Sequence, residues 1–235
     1  MDNQGFLNVV SASFKAFLET GTSRSNAKLK PLHGAIASDI ATRLGANYKV
    51  VSQGYGLDKE AKISGRYIDK MVDITIQNNK GKALAGIAVK FVMQNYSQNS
   101  NNYFENMLGE TANIRSNRVP YFQIFIILDK LPYYNRDKTI KNWETFTEHN
   151  VGKYVTLSHD NIDVFFHTPN KTLIYVIHIP DNERLRTSDE YRDYYKSINP
   201  NITMSSQCHE QFGDSVILND YEKFIVKVYH TILSL

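Results

Sequence analysis

The sequence predicts a mixed α+β fold: an α/β core whose central mixed β-sheet is flanked by helices. Three observations carry this. Two apolar stripes at helical spacing come first, a pair of strands joined by a turn and a further helix follow, and then Tyr121 to Leu128 is almost continuously apolar. A β-rich run of that kind fits a strand covered on both faces.

Phe6 to Glu19 places Phe6, Val9, Val10, Phe14, Phe17 and Leu18 at helical spacing, and Thr20 to Asn26 is a polar, turn-rich loop. Leu29 to Leu44 forms a second amphipathic helix with Leu32, Ile36, Ile40 and Leu44 on one stripe and Gly45 at its end. Tyr48 to Val51 is a short strand, Gly54-Tyr55-Gly56 a flexible joint, and Glu60 to Tyr67 an extended segment. Val72 to Ile76 and Leu84 to Val92 read as strands. The turn formers Asn78 to Gly81 between them predict an antiparallel hairpin. Ser97 to Arg115 is a helix with Phe104, Met107, Leu108 and Ile114 on one side and Ser97 as its cap. Beyond Tyr121 to Leu128, strands are expected at Val164 to His167 and Leu173 to Ile179, and a helix at Tyr221 to Leu233. The whole chain, 1–235, is expected to form one domain. Residues 1–45 are N-terminal helices available for contacts with a partner, 46–130 the core, and 131–235 a C-terminal elaboration.

Composition narrows the class. An apolar content of 42% argues for a folded globule rather than disorder. A net charge of +3 permits nucleic acid without requiring it. The single cysteine, Cys208, excludes an internal disulfide framework and suits a reducing compartment. There is no apolar run of about 18 residues, and the first residues lack a signal-peptide core, so the expected location is cytoplasmic, with no membrane partner. Cys208-His209-Glu210 has no spaced partner to complete a metal site, and His159, His167 and His178 lack ligand spacing. No phosphate-cradling glycine loop or dinucleotide fingerprint is present.

The chemistry concentrates in the central hairpin. Asp73 and Lys90 fall on paired strands among apolar neighbours. Aspartate is poorly placed in a strand on propensity, and charges in such surroundings cost free energy unless paired or metal-bound. Hydrolysis of a phosphodiester needs a divalent cation, a group that activates water and stabilisation of developing charge. Mg²⁺ takes oxygen ligands, one or two of them carboxylates. On the residues alone, the competing reading is a structural Asp73–Lys90 ion pair.

The segment from Asp73 to Lys90, with the helix after it, resembles the PD-(D/E)xK nuclease superfamily and, within it, type II restriction endonucleases. Asp73 matches the first position of the motif and Lys90 the last. The middle carboxylate is replaced by Ala88. One subgroup of these enzymes carries its second carboxylate on the following helix, where this chain has Glu105 and Glu110. At 100° per residue these two lie about 140° apart, which predicts that only one of them points into the site. Glu110 is the choice and Glu105 the reserve. Gly109, in mid-helix at a cost of about 1 kcal/mol against Ala, suggests close approach of a backbone or of DNA; the plain reading is a small packing residue. The resemblance covers roughly residues 20 to 128. It implies a restriction-endonuclease-like core, Mg²⁺ held by Asp73, Glu110 and the backbone carbonyl of Val89, and a Lys90 that orients or activates the attacking water. It also offers Glu60, upstream of the catalytic strand, as a further acidic member. The plain reading of Glu60 is a surface pair with Lys62 or Lys70.

Phosphate contacts are expected from Arg24, Lys28 and Lys30 in the loop before the second helix. Gln94, Asn95, Gln98, Asn99 and Asn102 could reach bases or the scissile phosphate, and Arg115 and Arg118 could hold the DNA backbone or pair across the fold. The segments around Tyr133 to Arg136 and from Arg184 to Lys196 are candidate recognition loops. The expected function is site-specific cleavage of double-stranded DNA by a homodimer joined through the N-terminal helices, with a cognate DNA methyltransferase as genetic partner. The alternatives are a structure-specific repair or phage-defence nuclease, and a DNA-binding module on this fold without catalysis.

Overall fold

A computed structural model describes residues 1–20, 28–206 and 212–235. Arg24 and Cys208 lie outside these residues. The chain opens with two helices, α1 (Asn3–Thr20) and α2 (Lys30–Leu44), followed by strand β1 (Tyr48–Ser52). A small hairpin, β2 (Ala61–Ser64) and β3 (Asp69–Val72), leads into β4 (Ile74–Asn78), β5 (Ala83–Val92) and helix α3 (Tyr96–Arg115). After β6 (Tyr121–Leu128) come a second hairpin, β7 (Lys130–Tyr134) and β8 (Ile140–Thr145), then α4 (Glu148–Ser158) and β9 (Lys171–His178). Helix α5 (Ser188–Ile198), strands β10 (Thr203–Met204) and β11 (Val216–Leu218) and helix α6 (Tyr221–Leu233) complete the described chain.

The central sheet is curled and mixed, in the order β1-β4-β5-β6-β9-β10, with β11 sharing the outer edge of β9. β1, β4 and β5 pair antiparallel, whereas β5, β6 and β9 pair parallel. Every residue of β6 is buried, as its unbroken apolar run requires of a parallel strand covered on both faces. One face lies against α1 and α6: Phe122 meets Phe224 edge-on and Tyr175 meets Phe6. The other lies against α3 and α4, where Phe125 packs on Tyr96 and Tyr154. Asp39 ties the first layer together through the N-terminal amine, Arg43 and the Tyr221 hydroxyl.

Several sequence expectations are corrected. The apolar stripe of α1 is consumed inside its own chain, with Phe6, Val10 and Phe14 fully buried, so it is not available as a dimer surface. Val164 to His167 is a turn rather than a strand, and Val164, Phe165 and Phe166 are exposed. This segment is held instead by the buried Arg115, whose guanidinium donates to the carbonyls of Ile162, Phe165 and Thr168. Tyr133 and Tyr134 belong to β7, with Asn135 and Arg136 opening the exposed turn to β8, and α5 occupies most of 184–196, which is therefore not a loop. Gly54 to Gly56 is a fixed turn: the Gly54 amide donates to Asp58, and a Cβ on Gly34 would meet the Gly54 carbonyl at 2.3 Å. Ser97 lies inside α3, and the Glu144 carboxylate caps that helix by accepting from the amides of Tyr96 and Ser97. No helix among the described residues is long and apolar enough to cross a membrane.

Candidate active site

Strand register creates the site. β5 alternates faces, so Gly86, Ala88 and Lys90 point one way, opposite Tyr121, Gln123 and Phe125 of β6. Asp73 does not begin a strand; it sits in the break between β3 and β4. Both of its oxygen groups bond outside the ladder. The carbonyl accepts from the Ser52 hydroxyl at 2.7 Å, and the carboxylate accepts from the Val89 amide at 2.7 Å. The chain therefore bends there, and the carboxylate turns onto the Ala88–Lys90 face. Together with α3 and the strand β3 this face encloses a cleft of about 660 Å³, lined by Asp73, Lys90, Glu105, Glu110 and Lys70 among others.

The ionisable groups of this cleft are perturbed in opposite directions. Burial raises the Asp73 carboxyl; the Val89 amide, Lys90 and Lys70 pull it partly back. Burial also raises Glu110, opposed by the Tyr121 hydroxyl and by Lys70 and reinforced by the Asp73 charge. The Lys90 amine is pushed down by burial and held up by Asp73. Among the described residues no ion pair joins Asp73 to Lys90. The Lys90 amine lies over the Tyr103 ring, 4.5 Å from its centroid, so the structural ion-pair reading does not describe the pair.

Glu110 accepts from the Tyr121 hydroxyl at 2.8 Å and stands 3.6 Å from the Lys70 amine. Glu105 lines the same cleft, exposed, with its charge acting on Lys153. Both glutamates thus reach one cleft, contrary to the angular expectation, because the cleft is broad enough to run along both flanks of the helix. A Cβ on Gly109 would meet nothing within 4 Å, so this glycine is not a packing residue but an opening in the cleft wall.

Glu60 pairs with neither Lys62 nor Lys70. It accepts from Gln53 at 3.0 Å, and its carboxyl is raised by burial and by the charge of Asp73 while His33 opposes. His33 is buried on α2 with neither ring nitrogen hydrogen-bonded, and burial pushes its pKa down to about 4.

The DNA-contact candidates scatter. Lys28 is only 4% exposed rather than on a solvated loop; burial, then the charge of Lys90, lowers its pKa to about 8. Lys30 pairs with Asp58. Asn95, at a left-handed φ of 52°, exchanges hydrogen bonds with the backbone of Tyr134 and so bolts β7 to the start of α3. Gln98 and Asn102 are exposed on the first turns of α3, and Gln94 and Asn99 are half-buried.

Sequence reasoning missed Lys70, Tyr103, Tyr121 and His33. The first sits on a hairpin whose folding back over the cleft no local pattern announces. Tyr121 read as a core strand residue because its hydroxyl partner lies on another element.

Lys70 provides the first test of this electrostatic arrangement. Its ammonium lowers both carboxyls of the pair. In the Lys70→Met protein the Glu110 carboxyl is expected to titrate at higher pH than in the parent, read by carboxyl ¹³C NMR. An unchanged titration would mean that solvent screens the 3.6 Å contact completely.

Comparison with family models, with curated proteins and with solved structures finds no match for the chain.

Proposed function

We propose that this chain is a Mg²⁺-dependent endonuclease that cuts double-stranded DNA at a short specific site, as type II restriction enzymes do. One observation carries the reading. Asp73, Lys90 and Glu110, 37 residues apart from first to last in the numbering, share one open cleft with their carboxyls pushed up and the amine pushed down. Opposed shifts in one cleft are what acid–base and metal-assisted chemistry needs.

The donor set fits Mg²⁺. Asp73 and Glu110 line one cleft and offer a carboxylate pair; among the described residues no three His, Cys, Asp or Glu side chains gather in metal-holding geometry. Mg²⁺ is commonly held by one or two carboxylates with waters completing its shell. Repulsion between the two carboxylates, seen in the effect of Asp73 on Glu110, is relieved by a cation. Asp73, Glu110 and the Val89 carbonyl would hold the ion, which supplies polarisation of the phosphate and acidification of water. Lys90 orients the attacking water and stabilises charge on the phosphorus centre. Cutting both strands of a symmetric site calls for a two-fold dimer, assembled through a surface other than α1, with a methyltransferase protecting the host site.

A catalytically silent DNA-binding module is the second reading. Ala88 in the middle motif position and the Lys70 ammonium beside Glu110 favour it. Plasmid incubation separates the two. The expected result is discrete fragments with Mg²⁺, none with EDTA, and none from the Lys90→Ala protein. DNA retention without cutting in every condition would replace the nuclease by the binding module. A smear or junction-dependent cutting would favour a structure-specific nuclease.

A further inference from the structure

The β2–β3 hairpin is a separate two-stranded ribbon, not part of the central sheet, and its tip is exposed in an unusual way. Tyr67 is 78% exposed and Ile68 64%, while two stem residues turn inward: Ile63 and Val72 pack with Ile114 and Tyr121. Exposed apolar side chains on a mobile loop would need no explanation, but this tip is held rigid. The Asn113 side chain of α3 accepts from the amides of Tyr67 and Ile68 and donates to the Ile68 carbonyl. Its backbone carbonyl accepts from the Arg66 amide, and Asn117 donates to the Ser64 carbonyl. A Cβ on Gly65 would meet the Asn113 amide at 2.0 Å, so the turn closes directly on that clamp. The ribbon is also basic. Lys59, Lys62, Arg66 and Lys70 stand against Glu60 and Asp69, and Glu60 is turned to Gln53. The Arg66 guanidinium lies over the Tyr67 ring at 5.7 Å. Ile68 and Lys70 line the cleft that holds Asp73 and Glu110, so whatever the tip grips is presented to those carboxylates.

We infer that the tip Arg66-Tyr67-Ile68 is a base-reading element that enters the major groove of duplex DNA beside the cleavage cleft. This rests on the endonuclease reading and names how that site would choose its substrate. Width selects the groove. Two backbones about 4.8 Å apart with their side chains are too broad for a minor groove of about 6 Å but fit a major groove of about 12 Å. The residue types match what that groove displays. An arginine bonds the two acceptors of guanine, and apolar groups contact the thymine methyl. Preorganisation by Asn113 removes the ordering cost that a free loop would incur on binding.

The test uses the full chain, its Arg66→Ala and Tyr67→Ala variants, and one DNA amplicon made in three forms: unmodified, with uracil for thymine, and with 7-deazaguanine for guanine. The two replacements remove only major-groove groups. Binding is followed by fluorescence anisotropy in EDTA and cutting by fragment pattern in Mg²⁺. Each variant, with an unchanged thermal transition, is expected to bind unmodified DNA about tenfold more weakly. The parent is expected to discriminate between the three amplicons, and the variants to lose that discrimination. Variants that bind and discriminate like the parent overturn the inference. So does a parent that binds all three forms equally, or a tip variant that falls from dimer to monomer in sedimentation without a change in amplicon preference, which would make the tip a contact between two copies of the chain. Tip-dependent binding without cutting would leave the inference standing and remove the nuclease reading. Cutting that ignores the tip would do the reverse. A parent that neither binds nor cuts any of the three removes both.

Discussion

Asp73→Asn is expected to abolish DNA cleavage, by at least about 10²–10³-fold, and at the same time to make the protein more stable at neutral pH. The two effects have one origin. Burial raises the folded-state pKa of Asp73 above its unfolded value, and the Val89 amide, Lys90 and Lys70 do not fully compensate. The group's contribution to stability is therefore complete below the unfolded pKa, about 3.9 for aspartate, and is lost as pH rises through the folded one. Above the folded pKa the native protein carries a charge it would be more stable without. Asparagine keeps an oxygen to accept from Val89 and carries no charge that must be desolvated, so its thermal midpoint should exceed the parent's at pH 7.5. The gap should close as pH falls towards about 4. A carboxylate this costly to bury fits a site that uses it. Thermal melts at the two pH values, run beside the plasmid assay, check both halves. A variant less stable at pH 7.5 would make Asp73 a structural residue and overturn its place in the site.

How much of this was readable in advance depends on how local the signal is. The hairpin that brings Asp73 near Lys90 was legible from strand alternation and the Asn78–Gly81 turn, but its register was not, because the pairing shifts between Ile76 and Gln77 and Asp73 falls in the break before β4. The buried strand β6 was legible from its unbroken apolar run. Helix α5 carried a readable signal that went unused. Thr187 and Glu190 have capping-box spacing, and the Thr187 hydroxyl does accept from the Glu190 amide. Val164-Phe165-Phe166 misled, since an apolar run of three looks like a strand edge. What fixes it is Arg115, some 50 positions earlier in the chain, gripping backbone carbonyls. Lys28 misled in the opposite sense, because nothing in a Lys-Leu-Lys string says which lysine turns inward. The cleft-facing cation Lys70 and the hydroxyl donor Tyr121 were out of reach for a different reason. Their roles come from the β2–β3 ribbon and from β6 meeting at Glu110 of α3, a relation among three elements that no local pattern states.

The choice between the two glutamates of α3 is where geometry adds most to the sequence, and it yields a paired expectation. Glu110→Gln should lower the cleavage rate by on the order of 10²-fold, while Glu105→Gln should stay within about threefold, the scale of an exposed charge. The Glu110 carboxyl is raised chiefly by burial, and Asp73 is among the charges that act on it. Glu105 is exposed and its charge acts on Lys153 instead. The pH–rate profile sharpens the comparison. With both carboxyls pushed up and Lys90 pushed down, the rate should rise on the acid side as the pair ionises and fall on the alkaline side as the amine loses its proton. Because Asp73 and Glu110 repel, their protons leave in coupled steps. Replacing Glu110 with a neutral side chain removes that repulsion, so the acid limb of the residual activity should move to lower pH and become shallower. Gln at 105 should leave the limb where it was. If the two variants exchange behaviours, Glu105 is the metal-side carboxylate. If neither moves rate nor limb, the carboxylates are not partners in chemistry, and the raised pKa of Glu110 reports only the burial of a helix flank against Tyr121.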